Sequence, residues 1–282
     1  MTDSFSLMNI RMLAVDIDGT LLGKDGILSD KTKASIRRAT DAGMEVCLCT
    51  GRHHADALAY ADELGVSTPV VAGNGAIIVD QNQKVRFSQI IPFPKVQKIE
   101  DALILADLQG IFYTGRGVLL HNGSPVEGWY RSRNAQLAGK LRLQQNQLLT
   151  RRLRIEDDEV YKISAVSPDS SRLRSMKGTL SSLSLSLTQS ADHNIEVMEL
   201  GVTKAAALEW LLRSLGMSFS NLAAIGDGKN DLEMIRSAGI GIAMGNGDVM
   251  LKKVADAVAP PNTEHGLASV IDSLLSGNGV LT

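Results

Sequence analysis

The sequence predicts an α/β protein with a doubly wound, mostly parallel, Rossmann-like core and a second α/β unit inserted into it. Three observations predict it. Apolar runs of strand length alternate with helix-like segments over the first eighty residues and again after residue 194. The runs at 12–15, 45–49 and 222–225 each stop in a short polar or glycine-containing segment. Between them, from about 84 to 191, the chain still alternates strands and helices but is richer in Gln, Ser and Arg. The expected organisation is a catalytic core of residues 1–83 and 192–282, with an inserted α/β cap at 84–191.

The elements follow in order. A first strand at 11–17 leads through Lys24-Asp25-Gly26 to a helix that Ser29 or Asp30 can cap and that ends before Gly43. A strand at 45–50 finishes in Thr50-Gly51-Arg52, and a helix spans 53–64 with Gly65 after it. A strand at 69–72 runs into Gly73-Asn74-Gly75. Asn-Gly between apolar residues signals a hairpin, with 76–79 and 85–88 as its arms. The middle unit reads as helix 95–107, strands 110–114 and 117–121, helix 125–137, strand 160–166, helix 168–178 and strand 182–188. In the last, Leu183, Leu185 and Leu187 alternate with serines, the pattern of a half-buried strand. The core style returns with strand 194–199, helix 205–215, strand 222–225, helix 231–237, strand 240–244, helix 248–254 and a final helix at 266–275.

Composition narrows the function. The chain has 282 residues, 44% hydrophobic and 21% charged, which fits a globular protein with a sizeable core. Lys+Arg total 29 against 31 Asp+Glu, a net charge of −2, so there is no electrostatic case for nucleic acid as the main partner. The basic run Arg151-Arg152-Leu153-Arg154 is short and is followed by Glu156-Asp157-Asp158-Glu159, as on a solvated loop. No apolar stretch approaches membrane-spanning length, and the first eleven residues lack a signal-peptide core. No membrane partner and a cytoplasmic location are expected. Cys47 and Cys49 sit two apart on one expected strand, near the outer limit for a disulfide, and read as reduced core thiols.

Four clusters carry chemistry. Asp16-Ile17-Asp18-Gly19-Thr20 follows the first strand, and ligands of open α/β sheets bind at such strand ends. Thr50-Gly51-Arg52 offers a hydroxyl and backbone amides at a helix start, an anion site, although Thr50 alone reads equally as an ordinary N-cap. Lys204 stands at a helix start, where the dipole disfavours a cation and an acidic or phosphate partner would favour it; alone it also reads as a surface lysine. Gly226-Asp227-Gly228-Lys229-Asn230-Asp231 sets two acids four apart across a glycine turn. Together they make up a phosphoryl-transfer site, with hard carboxylate oxygens suited to Mg²⁺.

These motifs, in this order, resemble the haloacid dehalogenase-like superfamily and within it the Cof-like sugar phosphatases with a type IIB cap. The resemblance extends to Leu232-Glu233-Met234-Ile235, Ile242-Ala243-Met244-Gly245-Asn246, Ala255-Asp256 and Asn262 with His265-Gly266-Leu267-Ala268, and is weak across 84–191. It implies a Mg²⁺-dependent phosphatase in which Asp16 is the nucleophile that forms an aspartyl-phosphate and Asp18 is the acid and then the base. It implies Mg²⁺ on the Asp16 carboxylate, the Asp18 carbonyl and Asp227, with Asp231 in the outer shell. It places phosphate on the amides from Ile17 onward, on Thr50 and Gly51, on Lys204 and on Asn230. The substrate implied is a small phosphorylated metabolite: a sugar phosphate first, with flavin mononucleotide, pyridoxal phosphate and phosphoglycolate as candidates. A phosphomutase of the same fold and a non-catalytic phosphometabolite-binding protein are the competing readings. Arg116, His121, Trp129, Tyr130 and Arg131 of the insert could face a substrate, and each reads equally as a surface or cap-core residue.

Overall fold

The computed structural model describes residues 9–121, 124, 126–137, 147–149, 159–189 and 193–277. The basic run at 151–154, the acids at 156–158 and the first eight residues lie outside the described residues.

The first third of the chain forms β1 (Met12–Val15), α1 (Asp30–Asp41), β2 (Glu45–Leu48), α2 (His54–Leu64), β3 (Val70–Ala72), β4 (Ile77–Val79) and β5 (Val85–Ser88). The middle forms α3 (Phe93–Leu105), β6 (Gly110–Thr114), β7 (Val118–His121), α4 (Glu127–Leu137), β8 (Gln147–Leu149), β9 (Val160–Val166), α5 (Ser170–Leu180), β10 (Leu185–Thr188) and β11 (Asn194–Glu199). The last part forms α6 (Lys204–Ser214), β12 (Leu222–Gly226), α7 (Leu232–Ser237), β13 (Ile240–Ala243), α8 (Val249–Val254), β14 (Ala257–Val258) and α9 (Gly266–Ser276).

The core sheet is parallel throughout, in the order β14-β13-β12-β1-β2. β1 is its fourth strand, held between β12 and β2. Its sequence, Met-Leu-Ala-Val, is wholly buried, because helices cover both faces of such a sheet and leave no solvent side for polar residues. Val15 pairs with Ile225 on one side and Leu48 on the other, so these three strands end level. That register brings Asp16, Thr50 and Asp227 to one rim. A parallel bridge from Cys49 to Val71 joins the antiparallel sheet β3-β4-β5 to the same edge. Both cysteines are free and buried, and burial pushes the Cys47 thiol up to about 12.

A second sheet runs β10-β11-β9-β6-β7-β8 and is antiparallel except for the β7–β8 pair. Period-two alternation gives it two different faces. Ile163 and Ala165 of β9 and Ile195 and Val197 of β11 pack under α3 and α5, against Val96, Ile99, Leu173 and Met176. Lys162, Ser164, Asn194 and Glu196 face the core rim instead.

The expected arms 76–79 and 85–88 do pair, Val85–Ser88 with Ile77–Val79, which sets 85–88 outside the second sheet; strand pairing differs from the expected layout in two other places. Asn194–Glu199 pairs with β9 and β10, inside the second sheet. We therefore propose junctions near residues 89 and 200 in place of 83 and 192. Asn74-Gly75 does reverse the chain, but between β3 and β4. Among the described residues, no helix is long and apolar enough to cross a membrane.

Candidate active site

Asp16 follows β1 directly and is only 5% exposed. The chain then folds back tightly, with Leu21 N donating to Asp16 O and Leu22 N to Ile17 O. Gly19 makes this possible. Its φ is +78°, and a Cβ there would stand 2.1 Å from Asp227 Oδ2. The carbonyl of Gly19 accepts from Asn246 Nδ2 at 2.9 Å, and Thr20 Oγ1 donates to Asp227 Oδ1 at 3.3 Å. The Ile17 side chain is buried in the core, which leaves only its backbone for the site.

Lys204 opens α6, where Thr203 is the N-cap and accepts from Ala206 N. It is buried, and its Nζ donates to Asp16 Oδ1 and to Asp231 Oδ1, each at 2.6 Å. The surface-lysine reading therefore fails. Two carboxylates offset both the helix dipole and the desolvation of the ammonium, and they hold its pKa well above the usual lysine range despite burial. The other Asp231 oxygen accepts from Asp227 N at 3.1 Å and Gly228 N at 2.9 Å. Asp231 thus uses both oxygens on protein donors and shapes the Asp227 turn. Gly226 is required beside it, since a Cβ there would lie 2.5 Å from Asp231 Cγ.

Asp16, Asp227 and Asp231 present carboxylate oxygens all within 4.8 Å of one another. With Lys204 as the ammonium among them, the cluster is short of positive charge. Burial raises Asp16 well above the usual carboxylate range, with Lys204 opposing and the neighbouring acids adding to the rise. Burial, then Asp231, pushes Asp227 up to about 7. Three hard oxygen donors and an uncompensated negative charge fit Mg²⁺.

The remaining expected residues stand around this cluster. Thr50 is buried, and its Oγ1 accepts from Arg52 N at 3.1 Å. Thr50 does not cap α2; His53 does, through Nδ1 accepting from Ala55 N. Asp18 is not one of the three clustered carboxylates. Its carboxylate is taken by Arg52, whose ring-facing side lies 5.6 Å from the Tyr60 ring and 5.8 Å from the Trp129 ring. Asn230 Nδ2 donates to Asn74 Oδ1 at 3.0 Å.

A cleft of about 380 Å³ lies between this rim and the second sheet. Asp16, Asp18, Thr50, Gly51, Asp227 and Asn230 line one side. Tyr113, Trp129, Tyr130, Lys162, Ser164 and Glu196 line the other. Of the insert residues singled out in the sequence, Trp129 and Tyr130 face the cleft. His121 instead packs on Phe112 near Glu100, and Arg131 pairs with Glu127. Arg116 sits at the β6–β7 turn. Sequence reasoning missed Lys162 and Glu196. The signal was a charged residue in the middle of an otherwise apolar strand. They form a buried ion pair, and Lys162 Nζ also donates to Gly51 O at 2.6 Å.

The profile of the haloacid dehalogenase-like hydrolases matches residues 13–271. The chain is 30% identical over 266 residues to a 5-amino-6-(5-phospho-D-ribitylamino)uracil phosphatase of Bacillus subtilis, across 94% of this chain and 95% of that protein. It is 28% identical over 275 residues to a pyridoxal phosphate phosphatase of Escherichia coli, across 95% of this chain and 100% of that one. Among solved structures, a haloacid dehalogenase-like hydrolase from B. subtilis superposes with a TM-score of 0.80 at 29% identity, over 93% of this chain and 99% of its own.

Proposed function

The chain belongs to the haloacid dehalogenase-like hydrolase family, in its Cof-like branch, and is a phosphatase; from that premise we propose that it is a Mg²⁺-dependent enzyme that cleaves a small phosphorylated metabolite through an aspartyl-phosphate on Asp16. The observation that carries the reading is the buried Asp16–Lys204–Asp231 chain set beside the Asp227 carboxylate at the rim.

In this reading an Asp16 carboxylate oxygen attacks phosphorus and the bond to the leaving oxygen breaks. Asp18, at the mouth of the cleft, gives that oxygen its proton. Water then attacks the acyl phosphate, and Asp18 takes the water proton as phosphate leaves. Lys204, Thr50, Asn230 and the amides of Ile17 and Gly51 hold the non-bridging oxygens, so most of the rate comes from positioning and charge stabilisation. Asp16, Asp227 and the Asp18 carbonyl would hold Mg²⁺, with Asp231 orienting the Asp227 turn. Bound there, the ion would offset repulsion between the carboxylate and the anionic phosphoryl group.

Tyr113, Trp129 and Tyr130 on the far wall support a leaving group that carries a flat ring, ahead of a plain sugar. The two named relatives act on phosphates of this kind, a ribitylaminouracil and pyridoxal. The test is phosphate release from p-nitrophenyl phosphate and a metabolite panel in Mg²⁺, with Asp16→Asn alongside. The expected result is turnover that Asp16→Asn reduces to background. Near wild-type turnover by Asp16→Asn would remove the nucleophile assignment. Return of the phosphoryl group to a second sugar, without free phosphate, would make the protein a mutase, and binding without turnover would make it a binding protein.

A further inference from the structure

Across the cleft, from the second sheet to the core rim, four polar side chains from four separate parts of the chain form one continuous line. Lys162 on β9 pairs with Glu196 on β11, and both are buried. Glu196 Oε2 accepts from Asn74 Nδ2 at 2.9 Å. Asn74 Oδ1 accepts from Asn230 Nδ2 at 3.0 Å. Asn74 is 2% exposed and does not line the cleft, whereas Asn230 does.

The chemistry of these groups gives the line a direction. An ammonium only donates, and an ionised carboxylate only accepts. Glu196 therefore requires the NH₂ end of Asn74, which leaves the Asn74 oxygen for Asn230. That oxygen in turn requires the NH₂ end of Asn230. The Asn230 oxygen is turned to the Gly228 side, where a Cβ would stand only 2.4 Å from it. One hydrogen of the Asn230 amide is thus committed to Asn74, and the other is available to an anion in the cleft. Without a fixed partner, an Asn side chain at a phosphate site can present its oxygen as readily as its nitrogen, and the oxygen would repel phosphate.

We propose that Asn74 is a positioning residue: it carries the polarity of the Lys162–Glu196 pair across to Asn230 and locks that amide with its NH₂ toward the phosphoryl group. The inference rests on the phosphatase reading for the identity of the anion, though not for the orientation of the amide. It also accounts for the residue type. The Asn74 backbone is left-handed, φ +60°, a conformation that Asn and Gly adopt more readily than other residues, and glycine would supply no relay. The same turn is tied to the phosphate loop, since Asn74 N donates to Thr50 O at 3.0 Å and Lys162 Nζ donates to Gly51 O. The inserted unit therefore reaches the phosphate site through bonded side chains as well as by covering it.

Asn74→Gly is the informative variant because it keeps the backbone conformation and deletes only the relay. The probes are inorganic phosphate with MgCl₂, measured by calorimetry, and p-nitrophenyl phosphate kinetics. The expected result is about tenfold weaker phosphate binding and a raised KM, with kcat within about threefold. Asn74→Gly combined with Asn230→Ala should bind no more weakly than Asn230→Ala alone, because the relay acts only through Asn230. Losses that multiply, or phosphate affinity unchanged in Asn74→Gly, would overturn the proposal. Glu196→Gln keeps the shape and removes the charge that sets the direction. It and Asn74→Gly should both move the Asn230 side-chain amide resonances in ¹H–¹⁵N spectra. That readout needs no activity: if the wild-type protein neither binds phosphate nor turns over p-nitrophenyl phosphate, the phosphatase reading falls while the resonances still decide the relay. Unmoved resonances in both variants would sink it.

Discussion

Arg52 grips Asp18 with two arms of its guanidinium: Nε donates to Oδ2 at 2.7 Å and Nη2 to Oδ1 at 2.5 Å. The Asp18 side chain is otherwise 61% exposed, so this fork is what fixes its direction at the mouth of the cleft. Arg52→Ala should lower kcat on p-nitrophenyl phosphate by about tenfold with a smaller change in KM, because a misplaced general base slows hydrolysis of the acyl phosphate more than it weakens binding. Arg52→Lys should rescue only part of the loss, since an ammonium cannot reproduce the fork. Full activity in Arg52→Ala would show that Asp18 needs no holder.

Gly19→Ala tests the tight turn after Asp16. The added methyl meets Asp227 Oδ2, and alanine is strained at φ +78°. The expected result is a loss of about 1–3 kcal/mol in stability, read by urea unfolding, together with the loss of any Mg²⁺-induced rise in Tm. An unchanged response to Mg²⁺ would mean that Asp227 can move aside.

Lys204→Met tests the buried cluster. The variant keeps the bulk of the side chain but strands Asp16 and Asp231 without their shared donor. A loss of about 3–5 kcal/mol is expected in urea unfolding at pH 8, shrinking as the pH falls and Asp16, already raised by burial, takes up a proton. A pH-independent loss would point to packing in place of charge.

Metal and protons should compete. With Asp227 pushed up to about 7, it holds a proton in the fold at a pH where the unfolded chain, near 3.8, has lost it. The sign follows: in the metal-free protein this group favours folding below about 3.8, and that contribution is lost as the pH rises through about 7. Mg²⁺ binding requires the ionised form. The rise in Tm on adding Mg²⁺ should be larger at pH 8 than at pH 6, and equal rises would contradict the assignment.

His53 works in the opposite direction. Its Nε2 donates to Thr114 O at 2.9 Å while Nδ1 accepts from Ala55 N, a neutral tautomer, and burial lowers its pKa to about 4 against 6.5 for a free histidine. Its contribution is present above about 6.5 and is lost as the pH falls toward 4, roughly 3 kcal/mol in all. Because this window overlaps that of Asp227, the comparison is between wild type and His53→Asn. The variant should flatten the acid side of the unfolding profile; an identical slope would rule out His53 as its source.

The motifs were legible because each is local. Asp16 to Thr20, Thr50 to Arg52 and Asp227 to Asp231 are short runs at strand ends, and a parallel register suffices to bring them together. Lys204 was legible by contradiction, as a cation at a helix start. Arg52 was in view, but its partner Asp18 lies in a different loop, so its role was not. Lys162 and Glu196 were hidden because they come from the insert, where no motif marks them. β11 read as core because its apolar alternation is the same on either side of the junction. Pairing depends on partner strands, which the pattern of one strand does not name.

The strand order has a consequence for how the chain comes off the ribosome. β1 can pair with β2 soon after both are made, but its other neighbour, β12, is translated only after the whole second sheet. Until then the nascent protein carries an open apolar strand edge, with Asp16 waiting for Lys204 and Asp227. Long-range parallel pairing of this kind closes late and exposes partly built sheets to association. Products truncated before β12 should therefore aggregate, and the closing of the central sheet and the completion of the acidic cluster are one event in the life of the chain.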